Sequence, residues 1–504
     1  MKIFRSDQIK QIDEYTINEE PVRSIDLMER AAGQLLKWYI QRFERSRRIF
    51  IFVGPGNNGG DGLSLARLLE SNRYEPEVIY VEFTERTSED WKSNLQRLID
   101  ETKVKIRYLK DTDHFPGISS SDIIIDAIFG YGLNRPAEGL VGEVVKSINQ
   151  TEAVVISIDI PSGMFSEDNS GNNYDKIVHA DYTLCFQFPK LSFLFAENAE
   201  YLGEWTILPI GLSEKAIRNT ISPYKLLEKD YVVTLLKKRK KFDHKGTYGH
   251  GLLISGSYGK TGAAVLGAGA ALRSGIGLIT CHVPASSVLV IQCSLPEAMV
   301  ESDINEKHLS GVGNTDAYSA VGIGPGIGTD PDSQKALYKF ITGCKRPLVI
   351  DADALNILSL NKEWLALIPE GAILTPHPKE FERLAGKTEN SYLRLQRQIK
   401  FSSDYKCIVV LKGAHTSITT PDGKVVFNST GNPGLATAGS GDVLTGILLS
   451  LLSQDYTPEN AAVLGVFLHG LAGDIAAKEL CYESIIASDI IKYMAKAFNK
   501  LREP

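Results

Sequence analysis

Strand-length apolar runs alternate with helix-period segments through both halves of this chain, and that alternation limits its fold more than any other feature. Arg48-Ile49-Phe50-Ile51-Phe52-Val53 ends at glycines and is followed by a helical pattern through Leu63, Leu65, Ala66, Leu68 and Leu69. Further runs are Val78-Ile79-Tyr80-Val81, Ile123-Ile124-Ile125-Asp126 and Val154-Val155-Ile156-Ser157-Ile158-Asp159, with Tyr182–Phe186 and Trp205–Ile210 extending or flanking them. Runs this uniformly apolar belong to strands covered on both faces, so a parallel sheet between helical layers is predicted. Ligands of such sheets gather at the carboxyl ends of the strands.

The second half repeats the pattern. Strands are predicted at Gly251–Ser255, Leu278–Cys281, Ser319–Ile323, Leu348–Asp351, Ala372–Thr375 and Cys407–Leu411, with a helix over Ala263 to Ser274 among the segments between them. A polar stretch from about Ser213 to Pro223 has no period and reads as a linker. At 504 residues one core is not enough. The chain is therefore read as two α/β domains, residues 1–215 and 225–504.

Composition narrows the classes of function. A formal charge of −6 argues against a dedicated nucleic-acid binder, because no basic excess exists to release counterions. The basic cluster Lys237-Lys238-Arg239-Lys240-Lys241 reads first as a solvated surface and second as an aid to attracting anionic substrates. The longest apolar stretches are strand-length or broken by glycine and charge, so neither a transmembrane helix nor a membrane partner is expected. The first residues turn polar at once and lack the apolar region of a signal peptide. Six cysteines without CxxC spacing (Cys185, Cys281, Cys293, Cys344, Cys407 and Cys481) suit reduced, mostly buried thiols in a cytoplasmic protein.

Three loops that should end strands of the first half carry oxygen-rich residues. Gly54-Pro55-Gly56-Asn57-Asn58-Gly59-Gly60-Asp61-Gly62 contains GxGxxG, and Glu82 lies near the distance of a ribose-binding acid, as in a dehydrogenase. Asn57, Asn58 and Asp61, however, supply groups that a plain pyrophosphate turn does not need. The other two loops are Asp126-Ala127-Ile128-Phe129-Gly130-Tyr131-Gly132 and Asp159-Ile160-Pro161-Ser162-Gly163. Either aspartate alone would read as a strand-end cap. Together the three loops offer an amide, a carboxylate, a hydroxyl and backbone carbonyls, a donor set for a hard and monovalent cation.

Through these motifs, residues from about 10 to 215 resemble the NAD(P)H-hydrate epimerase family. The resemblance implies a Rossmann-like domain with bound potassium, held by Asn58, Asp126 and Ser162. It places the hydrated nucleotide against Asn57, Asn58, Gly59, Gly60 and Asp61, against Gly130, Tyr131, Gly132, Leu133, Asn134, Arg135 and Pro136, and against Asp159. The substrate bears a hydroxyl on C6 of its reduced nicotinamide ring, and the reaction inverts that carbon. Asp159 is chosen as the carboxylate that moves the proton, with Asp61 second and Lys190 as a polar partner. The family often has threonine where this chain has Tyr131, and some relatives of the domain are non-catalytic dimerising scaffolds.

The second half carries a stronger chemical signal. Gly431-Asn432-Pro433-Gly434-Leu435-Ala436-Thr437-Ala438-Gly439-Ser440-Gly441-Asp442 precedes the helix-like run Val443–Leu449. Gly439, Ser440 and Gly441 should therefore sit at a helix N-terminus, where free N–H groups and the dipole favour an anion. Asp442 stands where a phosphate would meet a hydroxyl. An anion hole with a base is the minimal equipment for phosphoryl transfer to an alcohol. Gly259-Lys260-Thr261 imitates a Walker A loop, but the pattern needs glycine at 254, which is Ile254. Taken singly, His377 between prolines reads as a turn residue, and Asp351 and Asp353 as helix caps.

The ordered series His244–Gly251, Gly262–Ala264, Gly324–Gly328, Asp351–Asn356, Thr375–Glu380, Lys412–Thr416 and the glycine-rich segment resembles the ribokinase-like NAD(P)H-hydrate dehydratase family over nearly all of 225–504. Only Lys379, where the family usually has glycine, departs from it in the TPHPKE turn. The resemblance implies that the S hydrate of NADHX or NADPHX is returned to NADH or NADPH at the expense of ADP, with ATP as the alternative donor and magnesium on the phosphates. Lys412, Gly413, Ala414, His415, Thr416 and Gly441 would bind the nucleotide, and Ala263, Gly326, His377 and Asp442 the hydrate. Asp442 and Asp159 are the expected catalytic residues of a bifunctional, homo-oligomeric repair enzyme. The alternatives are a ribokinase-like small-molecule kinase and a nucleotide-sensing scaffold.

Overall fold

The computed structural model describes residues 1–20 and 22–503. They form two compact units, one of residues 2–222 with 390–392, the other of Met1 with residues 223–389 and from Leu393 onward.

The N-terminal unit is built on β1 (Ile49–Val53), β2 (Pro76–Val81), β3 (Lys105–Leu109), β4 (Ile123–Ala127), β5 (Val154–Ile158), β6 (Tyr182–Phe186) and β7 (Glu204–Leu208). These strands are all parallel, in the order β3-β2-β1-β4-β5-β6-β7. Every residue of β1 is buried. Ile49, Ile51 and Val53 pack in one core with Leu35, Leu63 and Leu69, while Phe50 and Phe52 pack in another with Val141, Val144 and Val145. That two-sided cover is why the run is apolar at every position. The order reverses between β1 and β4, so the loops after β1, β4 and β5 open side by side at the switch point.

The C-terminal unit adds β8 (Tyr224–Leu226), β9 (His250–Ile254), β10 (Leu278–Val283), β11 (Met299–Ser302), β12 (Ala320–Ile323), β13 (Leu348–Ile350), β14 (Ile373–Leu374), β15 (Ile408–Leu411), β16 (Ser417–Thr419) and β17 (Val425–Phe427). They run β8-β17-β16-β15-β14-β13-β12-β9-β10-β11, parallel from β15 to β11, with β16 antiparallel to both its neighbours. Here the order reverses between β9 and β12. The loops after β9, β12, β13, β14 and β15 therefore share one edge, and they hold the motifs of the second half.

Helices Gly262–Arg273 and Ser440–Ser453 pack on one face of this sheet. They touch through their backbones, since a Cβ on Gly446 would overlap the Gly267 carbonyl oxygen. The contact brings the start of each helix to the same edge.

Several expectations change. The predicted linker contains a short helix, Glu214–Asn219, capped by Ser213. Strands β3, β8, β11, β16 and β17 were not predicted; they are short or half polar, as edge and hairpin strands tend to be. Helix Pro458–Glu479 is, by length and composition, apolar enough to cross a membrane, contrary to the expectation from interrupted runs. It is a core helix, with 67% of its apolar window buried, and helices covered on several sides are apolar all round. Three cysteines are buried, but Cys293 and Cys481 are exposed and Cys344 is half-buried.

Candidate active sites

In the N-terminal unit the three loops surround a cavity of about 1190 Å³. Asn57, Asn58, Asp61, the loop from Gly130 to Pro136 and Asp159 line it, with Glu82 and Lys110 also in its wall. Gly59 and Gly60 do not reach the lining. They are buried in the first turn of helix Asn57–Ser71, where a Cβ on Gly59 would overlap the Gly54 carbonyl oxygen, so they shape the turn. A smaller cavity of about 280 Å³ shares Lys10, Asn57, Asp61, Tyr131, Asp159 and Phe186 with the first. It ends against Ile9, Leu27, Met28 and Ile210.

Acidic groups crowd this junction. Asp159 leaves β5 with a left-handed φ of 67°, a conformation that aspartate tolerates better than most residues. Its Oδ1 accepts Lys190 Nζ at 2.7 Å and the Phe186 N–H at 3.2 Å. Burial alone would pull the Lys190 ammonium down, yet Asp159 beside it holds it above the usual lysine range. Burial pushes Asp61 well up, and the charges of Asp159 and Asp13 add to the effect. Asp13 is raised to about 6, chiefly by burial, although its Oδ2 accepts the Tyr131 hydroxyl at 3.1 Å. Asp13 is the residue that sequence reasoning missed. Its signal is a carboxylate four positions after Ile9 and three before Thr16, on the buried stripe of helix Ser6–Glu19.

Asn58, Asp126 and Ser162 do meet. Asp126 is fully buried; Oδ2 accepts Ser157 Oγ and the Ser162 N–H, both at 2.8 Å, and Oδ1 accepts Ser162 Oγ at 2.5 Å. The Asn58 amide donates to the Phe129 carbonyl at 2.8 Å. Burial raises Asp126, against the pull of the Ser162 hydrogen bonds. One carboxylate, one hydroxyl, one amide and one carbonyl thus converge without a second acid.

In the C-terminal unit, helix Ser440–Ser453 starts where the sequence placed it. Gly439 is its N-cap residue at φ 84°, a left-handed turn that a side chain would strain. Asp442 lies in the first turn, half-buried, and is raised to about 6 by burial and then by the charge of Asp351, with Lys412 opposing. A Cβ on Gly441 would stand 3.4 Å from Lys412 Nζ and 3.6 Å from Asp351 Oδ2. A fixed cation therefore flanks the helix N-terminus.

Asp351 occupies an N-cap position but does not cap. Its oxygens accept Lys412 Nζ at 3.0 Å and Thr445 Oγ1 at 2.8 Å. Nor does Asp353 cap its helix; its Oδ2 accepts the Gly328 N–H at 2.9 Å and Lys260 Nζ at 3.3 Å. The lysine of the imitation Walker loop is thus tied to the first turn of helix Ala352–Leu360, which follows β13. A Cβ on Gly326 would lie 3.3 Å from Ala263 Cβ, which puts those two expected contacts face to face. His377 caps helix Pro378–Ala385, its Nδ1 accepting the N–H groups of Lys379 and Glu380 at 3.1 and 3.3 Å. Burial lowers it below the ordinary histidine range. Gly413 and Thr416 close their loop on each other, with Thr416 Oγ1 donating to the Gly413 carbonyl at 3.0 Å.

Comparison with known proteins finds a matching family model in each half of the chain. Residues 251–496 match the family described as NAD(P)H-hydrate dehydratase, and residues 24–192 match that described as YjeF-related protein N-terminus. The bifunctional NAD(P)H-hydrate repair enzyme Nnr of Moorella thermoacetica is 34% identical across 100% of this chain and 98% of its own length. The enzyme of the same name from Thermofilum pendens is 34% identical across 100% of this chain and 97% of its own. Among solved structures, the ADP/ATP-dependent NAD(P)H-hydrate dehydratase of Bacillus subtilis, co-crystallized with ATP/Mg2+, is 29% identical, with a TM-score of 0.48, over 55% of this chain and 98% of that one.

Proposed function

Because the chain belongs to the bifunctional NAD(P)H-hydrate repair enzymes, we propose that residues 1–215 hold its epimerase site and residues 225–504 its dehydratase site. The protein epimerises NAD(P)H hydrates and dehydrates one epimer to the reduced cofactor. The observation that carries the assignment of residues is Asp442. It is a carboxyl raised to about 6, by burial and then by Asp351, in the first turn of a helix whose N-terminus is flanked by Lys412.

At the dehydratase site, ionised Asp442 takes the C6 hydroxyl proton of the S hydrate while that oxygen attacks the terminal phosphorus of ADP. The bond from phosphorus to the bridging oxygen breaks with its electron pair, and AMP leaves. N–H groups of Gly439, Ser440 and Gly441 hold the transferring group, while Lys412 neutralises its charge. The ring nitrogen's lone pair then expels phosphate from C6, and loss of a C5 proton restores the double bond. With ATP as donor the nucleotide product is ADP. Lys412 to Thr416 and Gly441 bind the nucleotide; Ala263, Gly326 and His377 face the hydrate. Magnesium, when bound, neutralises the phosphates. Magnesium sites of this kind are completed largely by substrate phosphates and water.

At the epimerase site the C6 carbon carries both a hydroxyl and the ring nitrogen, so it can open. Asp159, oriented by Lys190, takes the hydroxyl proton as the carbon–nitrogen bond breaks with its pair to nitrogen. Asp61, whose carboxyl burial pushes well above its ordinary range, supplies a proton to that nitrogen. Closure on the other face inverts C6 and returns both protons. The donors Asp126, Ser162, Asn58 and the Phe129 carbonyl fit potassium, which would add a positive charge that fixes the loop after β4. The free thiols, three of them buried, suit the expected cytoplasm.

The test is incubation with mixed R and S NADHX plus ADP or ATP, following both epimers by chromatography. Loss of both, with NADH absorbance and AMP from ADP, is the expected result. A stable phosphorylated alcohol would instead make the protein a kinase. Persistence of R beyond its spontaneous epimerisation would contradict the epimerase assignment.

A further inference from the structure

Helix Pro458–Glu479 holds the glycine-rich segment at three points. Thr430 Oγ1 donates to the Phe467 carbonyl at 2.9 Å. The Gly431 N–H and the Asn432 amide donate to the two oxygens of Asp474 at 2.9 and 3.0 Å. His469 Nε2 lies 3.0 Å from the Ser440 carbonyl oxygen and 3.2 Å from Ser440 Oγ. The first two contacts fix the entry of the segment, and the third fixes its exit into helix Ser440–Ser453.

A carbonyl oxygen only accepts, so His469 must carry its proton on Nε2 and donate it. Burial holds this ring low, at about 4, so the donating ring is neutral near pH 7. Ser440 Oγ shares the same N–H as an acceptor, which leaves its own proton for another partner. The Ser440–Gly441 peptide is planar and trans, so its C=O and N–H point in opposite directions. Anchoring the Ser440 carbonyl on His469 therefore aims the Gly441 N–H in the opposite direction, away from His469, and Gly441 is the residue beside Lys412.

We propose that His469 is a positioning residue of the dehydratase, whose Nε2–H locks the Ser440–Gly441 peptide and frees the Ser440 hydroxyl so that both donate to the transferring phosphoryl group. The proposal rests on the dehydratase reading of this site. Its energetic logic is that of a preorganised anion hole, in which a donor aimed beforehand costs no reorganisation during reaction.

The test compares the full-length protein with His469→Gln, whose amide keeps a donor at nearly the same reach, and His469→Phe, which removes it. Dehydration of S NADHX with ADP is measured as kcat and KM separately. In His469→Phe the kcat is expected to fall on the order of ten- to a hundredfold, with KM for the hydrate nearly unchanged. His469→Gln should recover most of that loss. His469→Asn, polar but too short to reach Ser440, replaces the phenylalanine variant if that chain does not fold. Wild-type kcat in the donor-less variants overturns the proposal, as does equal loss in Gln and Phe, which would mean that shape rather than the donor matters. A wild-type protein that does not dehydrate S NADHX fails the functional reading instead, so the two failures are distinct.

Discussion

The Lys412 ammonium lies 3.0 Å from one oxygen of Asp351 while Thr445 Oγ1 donates to the other at 2.8 Å. One buried carboxylate thus ties the loop after β15 to helix Ser440–Ser453 from the end of β13. Burial works against the charge of Lys412, but Asp351 and Glu380 hold its ammonium above the usual range. The same Asp351 raises Asp442, after burial, to about 6.

That coupling sets a pH dependence. Asp442 is the base only when ionised, so kcat for dehydration should fall below about pH 6. Asp351→Asn removes a neighbouring negative charge and makes ionisation of Asp442 easier. The acid limb of the kcat profile should therefore move to lower pH. A limb that stays in place or rises in Asp351→Asn would show that another group governs it.

Asp442→Asn keeps the size of the side chain and deletes the base. Dehydratase kcat should drop roughly 10²- to 10⁴-fold, while R and S NADHX still interconvert faster than in buffer. Measuring both reactions on one preparation separates loss of chemistry from loss of folding. An unchanged dehydration rate would remove Asp442 from the mechanism.

How much of this was legible in the sequence depends on range. Uniformly apolar runs such as Ile49–Val53 announced buried parallel strands, and the loops that followed them carried their chemistry in plain order. The partners of those loops did not. Asp351 meets groups 61 and 94 positions away, so alone it looked like a cap. Asp13 is one acid on an amphipathic stripe, and only the fold sets it against Tyr131. Strand β3 hides because four of its five residues, Lys105 to Tyr108, are exposed or half-buried. Helix Pro458–Glu479 hides because its glycines and His469 interrupt the apolar run that burial permits.

At the epimerase site the pair of Asp159 and Lys190 is almost wholly buried, with side-chain exposures of 4% and 1%. Asp159→Asn should abolish enzymatic epimerisation and leave dehydration of S intact, so that R accumulates when mixed hydrates are treated with ADP. Lys190→Met strands a buried carboxylate, which costs about 3–5 kcal/mol. Its denaturant midpoint, followed through Trp38, Trp91 and Trp205, should fall, and so should that of Asp159→Asn, which strands the Lys190 ammonium instead. Wild-type midpoints in both variants would mean that the ion pair is not a structural unit.

Asp126 has no acidic neighbour in its cluster, so a monovalent ion suffices to balance it. Replacing potassium in the buffer with tetramethylammonium, too large for the site, should slow epimerisation without affecting dehydration. Asp126→Asn removes the charge that attracts the ion, and its residual epimerase rate should not respond to potassium. Equal potassium response in wild type and Asp126→Asn would place the ion elsewhere.

Helices Gly262–Arg273 and Ser440–Ser453 meet where a Cβ on Gly446 would overlap the Gly267 carbonyl oxygen. Neither helix can yield freely, because Gly439 at the start of the second already lies against Leu266, and a Cβ there would stand 2.5 Å from Leu266 Cδ1. Gly446→Ala must therefore push the helices apart, and overpacking of this kind costs about 1–3 kcal/mol. The displacement reaches the catalytic end, since Asp442 lies one turn before Gly446 on the same helix, while Ala263 lies in the first turn of the other. Dehydratase kcat should fall together with the denaturant midpoint of the C-terminal unit, and epimerase activity should persist. Gly343→Ala, at a helical glycine where an added Cβ meets nothing within 4 Å, is the matched control and should leave both quantities unchanged. If Gly446→Ala behaves like that control, the helix contact does not set the position of Asp442.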